Sequence, residues 1–411
     1  MPTIAISPVA RLRRVVRDER AALLQGFGAL GLSSVGDLAA GLTLGSITGT
    51  LDRLPGLLVL VPAAIGMRGN IFGALGSRLG TLIHTGDYRL SRRADTPVGQ
   101  NIAAALLLSL SLSAALAVLA KALIVIVAVP NAISLADLLV VSMIGGVLSS
   151  AVVLGITVGV SSLSARRGWD LDNVAAPIVT AAGDMVTLPA LFIGTAFVGI
   201  RWVTPIGAAL CVAVGLVSAA VCLHAKLPVL RRIARESLPI LLIAGVIDVV
   251  AGVTIEKRLE SFVAFPALLV LVPPFLEDSG ALGGILAARL STRLHLGTLE
   301  PRLSQIRLVV DDIILTYLFA ISVFTLLGLS SNVVSAAFGL ASPGVLSVMQ
   351  LSLLAGLFAT TCAVVVAALA AVMTFRLGLD PDNHGIPLVT SSLDLLGAVS
   401  LIIAIVVLGI A

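Results

Sequence analysis

Apolar residues along this chain come in long unbroken runs, not in strict alternation or narrow stripes. Eleven such segments can be drawn, at roughly 22–47, 55–83, 100–128, 136–164, 175–199, 203–224, 237–255, 264–292, 308–330, 344–374 and 386–410. A helix needs about 20 apolar residues to cross a bilayer. A transmembrane β-barrel shows weaker alternating segments of about 10 residues, a pattern this chain lacks. The patterning predicts an all-α polytopic membrane protein with about 11 transmembrane helices.

Composition narrows the reading further. Of 411 residues, 58 % are hydrophobic and only 12 % charged, against roughly 25 % charged in soluble domains. So few charges cannot cover a water-facing surface, which excludes an ordinary soluble enzyme, a disordered chain and a nucleic-acid binder. Cys211, Cys222 and Cys362 all fall in apolar runs. Their odd number and spacing fit neither a disulfide framework nor a metal site, so they read as small buried hydrophobes. The N-terminus begins polar and basic, and no cleaved signal peptide is expected. No P-loop, dinucleotide fingerprint or nucleophile triad appears, so neither an enzyme nor an ATP-driven pump is expected.

The basic residues orient the drawing. With the N-terminus in the cytoplasm, 20 of the 26 Lys and Arg fall on inner segments and 5 on outer ones (Arg53, Lys121, Arg201, Lys257, Arg258), with Arg68 inside a span. That asymmetry is what the positive-inside rule expects. It predicts a multi-pass protein of the cell membrane with a cytoplasmic N-terminus and an outer C-terminus.

The chain also repeats itself. Pro55-Gly-Leu-Leu-Val-Leu-Val-Pro62 returns as Pro266-Ala-Leu-Leu-Val-Leu-Val-Pro273, an offset of 211. The same offset joins Asp37 to Asp248, Gly41 to Gly252, Arg78 to Arg289 and His84 to His295. Further on the offset is 210, joining Asp170-Leu-Asp-Asn173 to Asp380-Pro-Asp-Asn383, Thr180 to Thr390 and Asp184 to Asp394. Each unit holds five spans, and the span at 203–224 has no counterpart. The step between copies is therefore six spans, which predicts parallel units about an axis along the membrane normal. The expected organisation is a cytoplasmic basic tail at 1–21, a first five-helix unit at 22–200, a linking helix and cytoplasmic loop at 201–232, and a second five-helix unit at 233–411.

Carboxylates inside spans are the candidate chemistry, because a charge at the bilayer centre costs roughly 2.5–3.5 kcal/mol on insertion scales. Asp184 and Asp394 form one repeat-related pair, each one helical turn after a threonine, Thr180 or Thr390. About a two-fold axis the two aspartates are expected to approach each other. Their mutual repulsion is relieved by a cation between them, and hydroxyl and carboxylate oxygens suit Mg²⁺, Mn²⁺ or Ca²⁺. Asp37 and Asp248 are second candidates, against the bland alternative of buried aspartates hydrogen-bonded to a neighbouring helix.

The second spans carry Pro62, Gly66, Arg68, Gly69 and Asn70 in one copy and Pro273, Pro274, Glu277, Asp278, Ser279 and Gly280 in the other. One reading breaks these helices so that freed backbone lines a cavity, with Asn70, Glu277 and Asp278 assisting a cation. The other keeps a kinked helix in which Arg68 pairs with Glu277 or Asp278 across the axis. The Asp170–Asn173 and Asp380–Asn383 motifs read as helix N-caps or a weak inner cation site. Gly41/Gly45, Gly76/Gly80 and Gly155/Gly159 read as close helix packing, and His84 and His295 as interfacial residues.

These residues resemble a known family. Leu-Val-Pro62-Ala-Ala-Ile-Gly-Met-Arg-Gly69-Asn70, followed by Ser77-Arg78-Leu-Gly-Thr81, resembles the second-span motif of MgtE-type magnesium transporters, and more so that of the solute carrier 41 group. Pro177 through Asp184 and Pro387 through Asp394 resemble the last span of the MgtE membrane domain, whose matching aspartate contributes to the pore ion site. The resemblance implies divalent-cation transport, with Mg²⁺ the first ion and Mn²⁺, Ca²⁺ or Co²⁺ the others, by a monomeric pseudo-dimer in a lipid bilayer. It also implies metal contacts at Asp184 and Asp394; Thr180 and Thr390 one turn away, with Asp37, Asp248 and Asn70 in second place, complete the candidate metal set on symmetry and on the cost of polar groups at membrane depth. Two departures stand out. Gly280 is followed by Ala281 where the first copy has Asn70, and no large cytoplasmic sensor domain is expected. A proton- or sodium-coupled carrier of a small organic solute is the alternative, and a non-transporting scaffold a third reading.

Overall fold

A computed structural model describes residues 20–91, 93, 95–167, 171–300, 309–379 and 384–410. Thirteen helices, and no strand, occur among the described residues. The first stretch holds α1 (Arg20–Ser46), the short α2 (Thr48–Arg53), α3 (Leu60–His84), α4 (Pro97–Ile126), α5 (Leu135–Arg167) and α6 (Leu171–Thr195). Then come α7 (Val203–His224), α8 (Pro228–Glu256), the short α9 (Leu259–Ala264), α10 (Pro266–His295), α11 (Val310–Ala337), α12 (Val345–Leu377) and α13 (Ile386–Leu408). Each of the eleven segments drawn from sequence thus has its helix. Nine helices among the described residues are long and apolar enough to cross a membrane. The other two long ones are α1 and α3, the latter carrying Arg68 and Asn70 at mid-length.

Local chemistry sets the helix ends. Pro97, Pro228 and Pro266 occupy first-turn positions that have no N–H to satisfy. The Thr96 hydroxyl accepts from Gly99 N at 3.1 Å. Gly378 and Gly409 close α12 and α13 in the left-handed region. Helix α8 begins nine residues before the apolar run drawn from sequence. Gln100 of α4 explains this, since its Oε1 accepts from Val229 N at 3.0 Å and Leu230 N at 3.3 Å, capping the new start.

The packing interleaves the two halves of the chain. Helix α1 packs on α6 of its own half and on α10 of the other, while α8 packs on α13 and on α3. Helices α3 and α10 also pack on α6 and α13 respectively. The linking helix α7 lies outside, against α4 and α5, with large apolar residues such as Ile206 and Leu216 each 67 % exposed. Arg78 Nε donates to Asn101 Oδ1 at 2.9 Å, and at the same offset of 211 Arg289 Nε donates to Asp312 Oδ1 at 2.9 Å, each tying a helix to its successor. Arg293 Nη1 adds a second contact to Asp312.

The second spans are not broken at depth. Helix α10 runs unbroken for 30 residues through Pro273 and Pro274. A proline removes one intrahelical donor, but packing on every side holds the helix. Val270 O, whose helical donor would be residue 274, instead meets the backbone of α1 at Gly41: a Cβ there would lie 2.1 Å from that oxygen. Residues 54–59, before α3, are irregular, and Gly56 there has φ +91°.

Gly41 and Gly45 do mark a close helix crossing, with a Cβ on Gly45 meeting Val270 and Pro266 at 2.8 and 3.0 Å. Gly155 and Gly159 do not, since nothing lies within 4 Å of either. Cys211 and Cys222 are buried free thiols. The N-cap motifs fall outside the described residues at Asp170 and 380–383, as do the side chains of 171–173 and the tail before residue 20.

Candidate cation site

Six carboxylates gather where α1, α6, α8, α10 and α13 meet. Asp37, Asp184, Asp248 and Asp278 are at most 1 % exposed and Asp394 is 9 % exposed. Glu277 is half-buried. The helical register places them: Asp37 and Asp248 sit past the middle of α1 and α8, and Asp184 and Asp394 sit one turn beyond Thr180 and Thr390 on α6 and α13.

The pairing differs from the sequence expectation. The Asp184 carboxyl lies directly against Asp37, not against Asp394. Asp394 lies against Asp248. Each pair is therefore made within one half of the chain, from its first and last long helices. Asp184 is only a more distant electrostatic neighbour of Asp394.

The pairs are short of donors. Neither oxygen of Asp37 or Asp184, nor Oδ1 of Asp248, has a hydrogen-bond partner among the described residues. Buried carboxylates left without donors or counter-ions are strongly disfavoured. Facing each other in pairs, they form a centre that calls for a cation or a shared proton. Asp278 differs, since the Ser34 hydroxyl sits 3.3 and 3.4 Å from its two oxygens.

Arg68 does not supply the missing charge. Its guanidinium is buried, donating to Ser149 Oγ at 3.0 Å, Ser113 Oγ at 3.2 Å and Ala64 O at 3.2 Å. Gly146 makes room for it; a Cβ there would lie 2.6 Å from Nη2. Among the described residues no carboxylate pairs with Arg68. The sequence reading that joined it to Glu277 or Asp278 is corrected: hydroxyls on α4 and α5 take the guanidinium instead.

The remaining candidates sit at the margin. Thr390 Oγ1 donates back to Pro387 O at 3.1 Å. Thr180 and Asn70 are half-buried. His295 is held by Ser291 O at 2.8 Å and an edge-on contact with Phe375, as suits an interfacial residue. Among the described residues no three His, Cys, Asp or Glu side chains are grouped to hold a metal ion directly.

A cavity of about 20 Å³ adjoins the second pair, lined by Leu58, Pro62, Gly66, Ile255, Glu277 and Asp394 among others. That volume holds about one water molecule. Glu256, overlooked in the sequence, lies next to the cavity-lining Ile255, and its Oε1 accepts from Gly56 N at 2.6 Å, fixing the irregular turn before α3. An acid at the C-terminal end of the apolar stretch of α8, after Asp248, was the available signal.

Comparison with known proteins bears on this site. The family model MgtE, described as a divalent cation transporter, matches residues 61–194 and 272–404, two stretches that start 211 residues apart. The chain is 26 % identical over 407 residues to solute carrier family 41 member 3 of Rattus norvegicus, covering 89 % of this chain and 83 % of that protein. It is 25 % identical over 378 residues to the Mus musculus member 3, covering 83 % of this chain and 73 % of that protein. With member 2 of Gallus gallus it shares 25 % identity over 292 residues, 67 % of this chain and 49 % of that protein. No solved structure matches the chain.

Proposed function

The chain belongs to the MgtE family of divalent cation transporters, and from that premise we propose that it carries divalent cations, Mg²⁺ first among them, across a cell membrane along a path between its two halves. The observation that carries this reading is the facing pair Asp37 and Asp184, whose four buried oxygens have no donor. The Asp248–Asp394 pair repeats the arrangement in the second half. A divalent cation resolves the repulsion within such a pair, because attraction to two carboxylates is strong where water is excluded.

The ion we propose is largely hydrated. Mg²⁺ dehydrates reluctantly and usually keeps several waters, binding through one or two carboxylates. A pair per site suffices for that, and the absence of a three-acid group among the described residues accords with it. Thr180, Thr390 and Asn70 are suited to receive hydrogen bonds from the ion's waters. A cavity of about 20 Å³ does not admit a hydrated ion, so the bundle has to open around α3 and α10 for passage.

The proposed architecture is two parallel five-helix units about an axis along the membrane normal, with all eleven long helices spanning. The N-terminus faces the cytoplasm and the C-terminus the outside, following the basic residues. The chain works as a monomer, its two halves standing where two subunits of a dimer would.

Mg²⁺ uptake into proteoliposomes tests the reading, with Asp184→Asn and Asp394→Asn beside the wild type and with or without a pH or Na⁺ gradient. Expected is uptake by the wild type and its loss in both variants while each stays monodisperse. Unchanged uptake in both variants overturns the site. A folded wild type that carries an organic solute and no divalent cation overturns the function.

A further inference from the structure

Helices α3 and α10 come from repeat-related stretches, and they differ at the centre of the bundle. At the offset of 211, Gly66 of α3 corresponds to Glu277 of α10. Gly66 lies against the second aspartate pair: a Cβ on it would sit 3.0 Å from Asp248 Oδ2 and 3.6 Å from Asp394 Oδ2. Glu277 therefore has no twin, and it is an electrostatic neighbour of both pairs. Its electrostatic neighbours include Asp184 and Asp248, and it is itself a neighbour of Asp37 and of Asp394. Of the six central carboxylates it is the one not fully buried, and it faces the cavity together with Asp394.

Resting on the reading of the chain as a cation path, we infer that Glu277 is a further cation-binding carboxylate, present once per chain, that links the Asp37–Asp184 and Asp248–Asp394 pairs. A cation leaving one pair for the other crosses a region of low dielectric, where separation from a carboxylate is costly. A third carboxylate within reach of both pairs lowers that cost, as multi-site binding does in other ion paths. The donorless oxygens of Asp37, Asp184 and Asp248 mark where the ion rests on either side. Arg68 does not compete for the central position, because it is directed to Ser113 and Ser149. Asp278 is not equivalent to Glu277, being buried against Ser34.

The test pairs two readouts on the full chain: Mg²⁺ flux in proteoliposomes and Mn²⁺ binding in detergent by electron paramagnetic resonance. The variants are Glu277→Gln and Glu277→Gly, the second giving α10 the residue that α3 already tolerates at the equivalent position. Expected is a fall in flux of roughly tenfold or more, with Mn²⁺ affinity held within about threefold, because the pairs remain. If Glu277→Gln fails to fold, Glu277→Gly carries the test alone. Wild-type flux in the variants overturns the inference. So does complete loss of Mn²⁺ binding from monodisperse protein, which makes Glu277 a member of one site and not a link. A wild type that neither binds Mn²⁺ nor carries Mg²⁺ instead brings down the transport reading on which the inference rests.

Discussion

Gly252 of α8 presses on the backbone of Val59, so closely that a Cβ on the glycine would lie 2.2 Å from the Val59 carbonyl oxygen. The repeat-related residues make the same contact, Gly41 against Val270 O, at 2.1 Å. Both contacts join the first long helix of one half to the stretch at or before the second long helix of the other. Each half thus closes on its counterpart, and the aspartate pairs on α1 and α8 are positioned by that closure.

Substituting these glycines separates packing from helix propensity. Gly252→Ala and Gly41→Ala are each expected to lower stability by about 1–3 kcal/mol through overpacking against a main-chain oxygen that cannot move aside. Gly155→Ala, with nothing within 4 Å of its Cβ, is expected to be neutral or to stabilise by up to about 1 kcal/mol, as alanine does in an open helix position. Thermal unfolding of the three detergent-solubilised variants, followed by size-exclusion fluorescence, checks the ordering.

Removing one charge from a facing pair has opposite effects with and without cation. Asp184→Asn relieves the repulsion with Asp37 and gives its neighbour an N–H donor. Without divalent cations the variant is therefore expected to melt no lower than the wild type. Wild-type protein gains stability from bound ligand, about 2.7 kcal/mol at a hundredfold excess over Kd, and the variant is expected to lose most of that gain. Melting curves with and without Mg²⁺ provide the comparison.

The clamp between α10 and α11 tolerates loss of charge but not loss of the acceptor. Asp312→Asn leaves an acceptor for Arg289, as Asn101 does for Arg78 at 2.9 Å, and is expected to cost about 1 kcal/mol or less. Asp312→Ala removes the acceptor that Arg289 and Arg293 share and is expected to cost about 1–3 kcal/mol. Chemical denaturation of the purified variants distinguishes the two.

Glu256 holds the turn before α3 by accepting from the Gly56 N–H. Glu256→Gln keeps an acceptor and is expected to leave the turn protected. Glu256→Ala removes it and is expected to speed amide exchange across residues 56–59 by roughly tenfold, the equivalent of about 1.4 kcal/mol of local stability. Hydrogen–deuterium exchange of the peptide spanning 54–62 reads the difference, and equal exchange in the two variants contradicts the capping role.

Most of the helical framework was legible in the chain, because burying a backbone in hydrocarbon leaves helices as the only apolar-run solution. The repeat was legible as well, down to Gly41/Gly252 and Arg78/Arg289. Partners were not. Asp184 was read towards Asp394 because a two-fold axis was the only relation available, whereas proximity to Asp37 depends on how α1 leans across α6. Arg68 was read towards Glu277 and Asp278 because opposite charges attract. Two serines and a glycine on other helices offered it a buried pocket lined with hydroxyl acceptors, and serines scattered through apolar runs give no sign of converging. The prolines of α10 promised a break, but tertiary packing, with α1 pressed close on Val270 at Gly41, let the helix continue.

Helix α7 touches none of the central carboxylates, yet it makes one of them possible. Two identical subunits on a shared axis put every central residue there in duplicate, so an acid at the position of Glu277 would bring a second one with it. By joining the halves in one polypeptide, α7 frees each half to vary alone. The centre can then carry an uneven set of charges: glutamate on one side, and on the other a glycine that leaves it room.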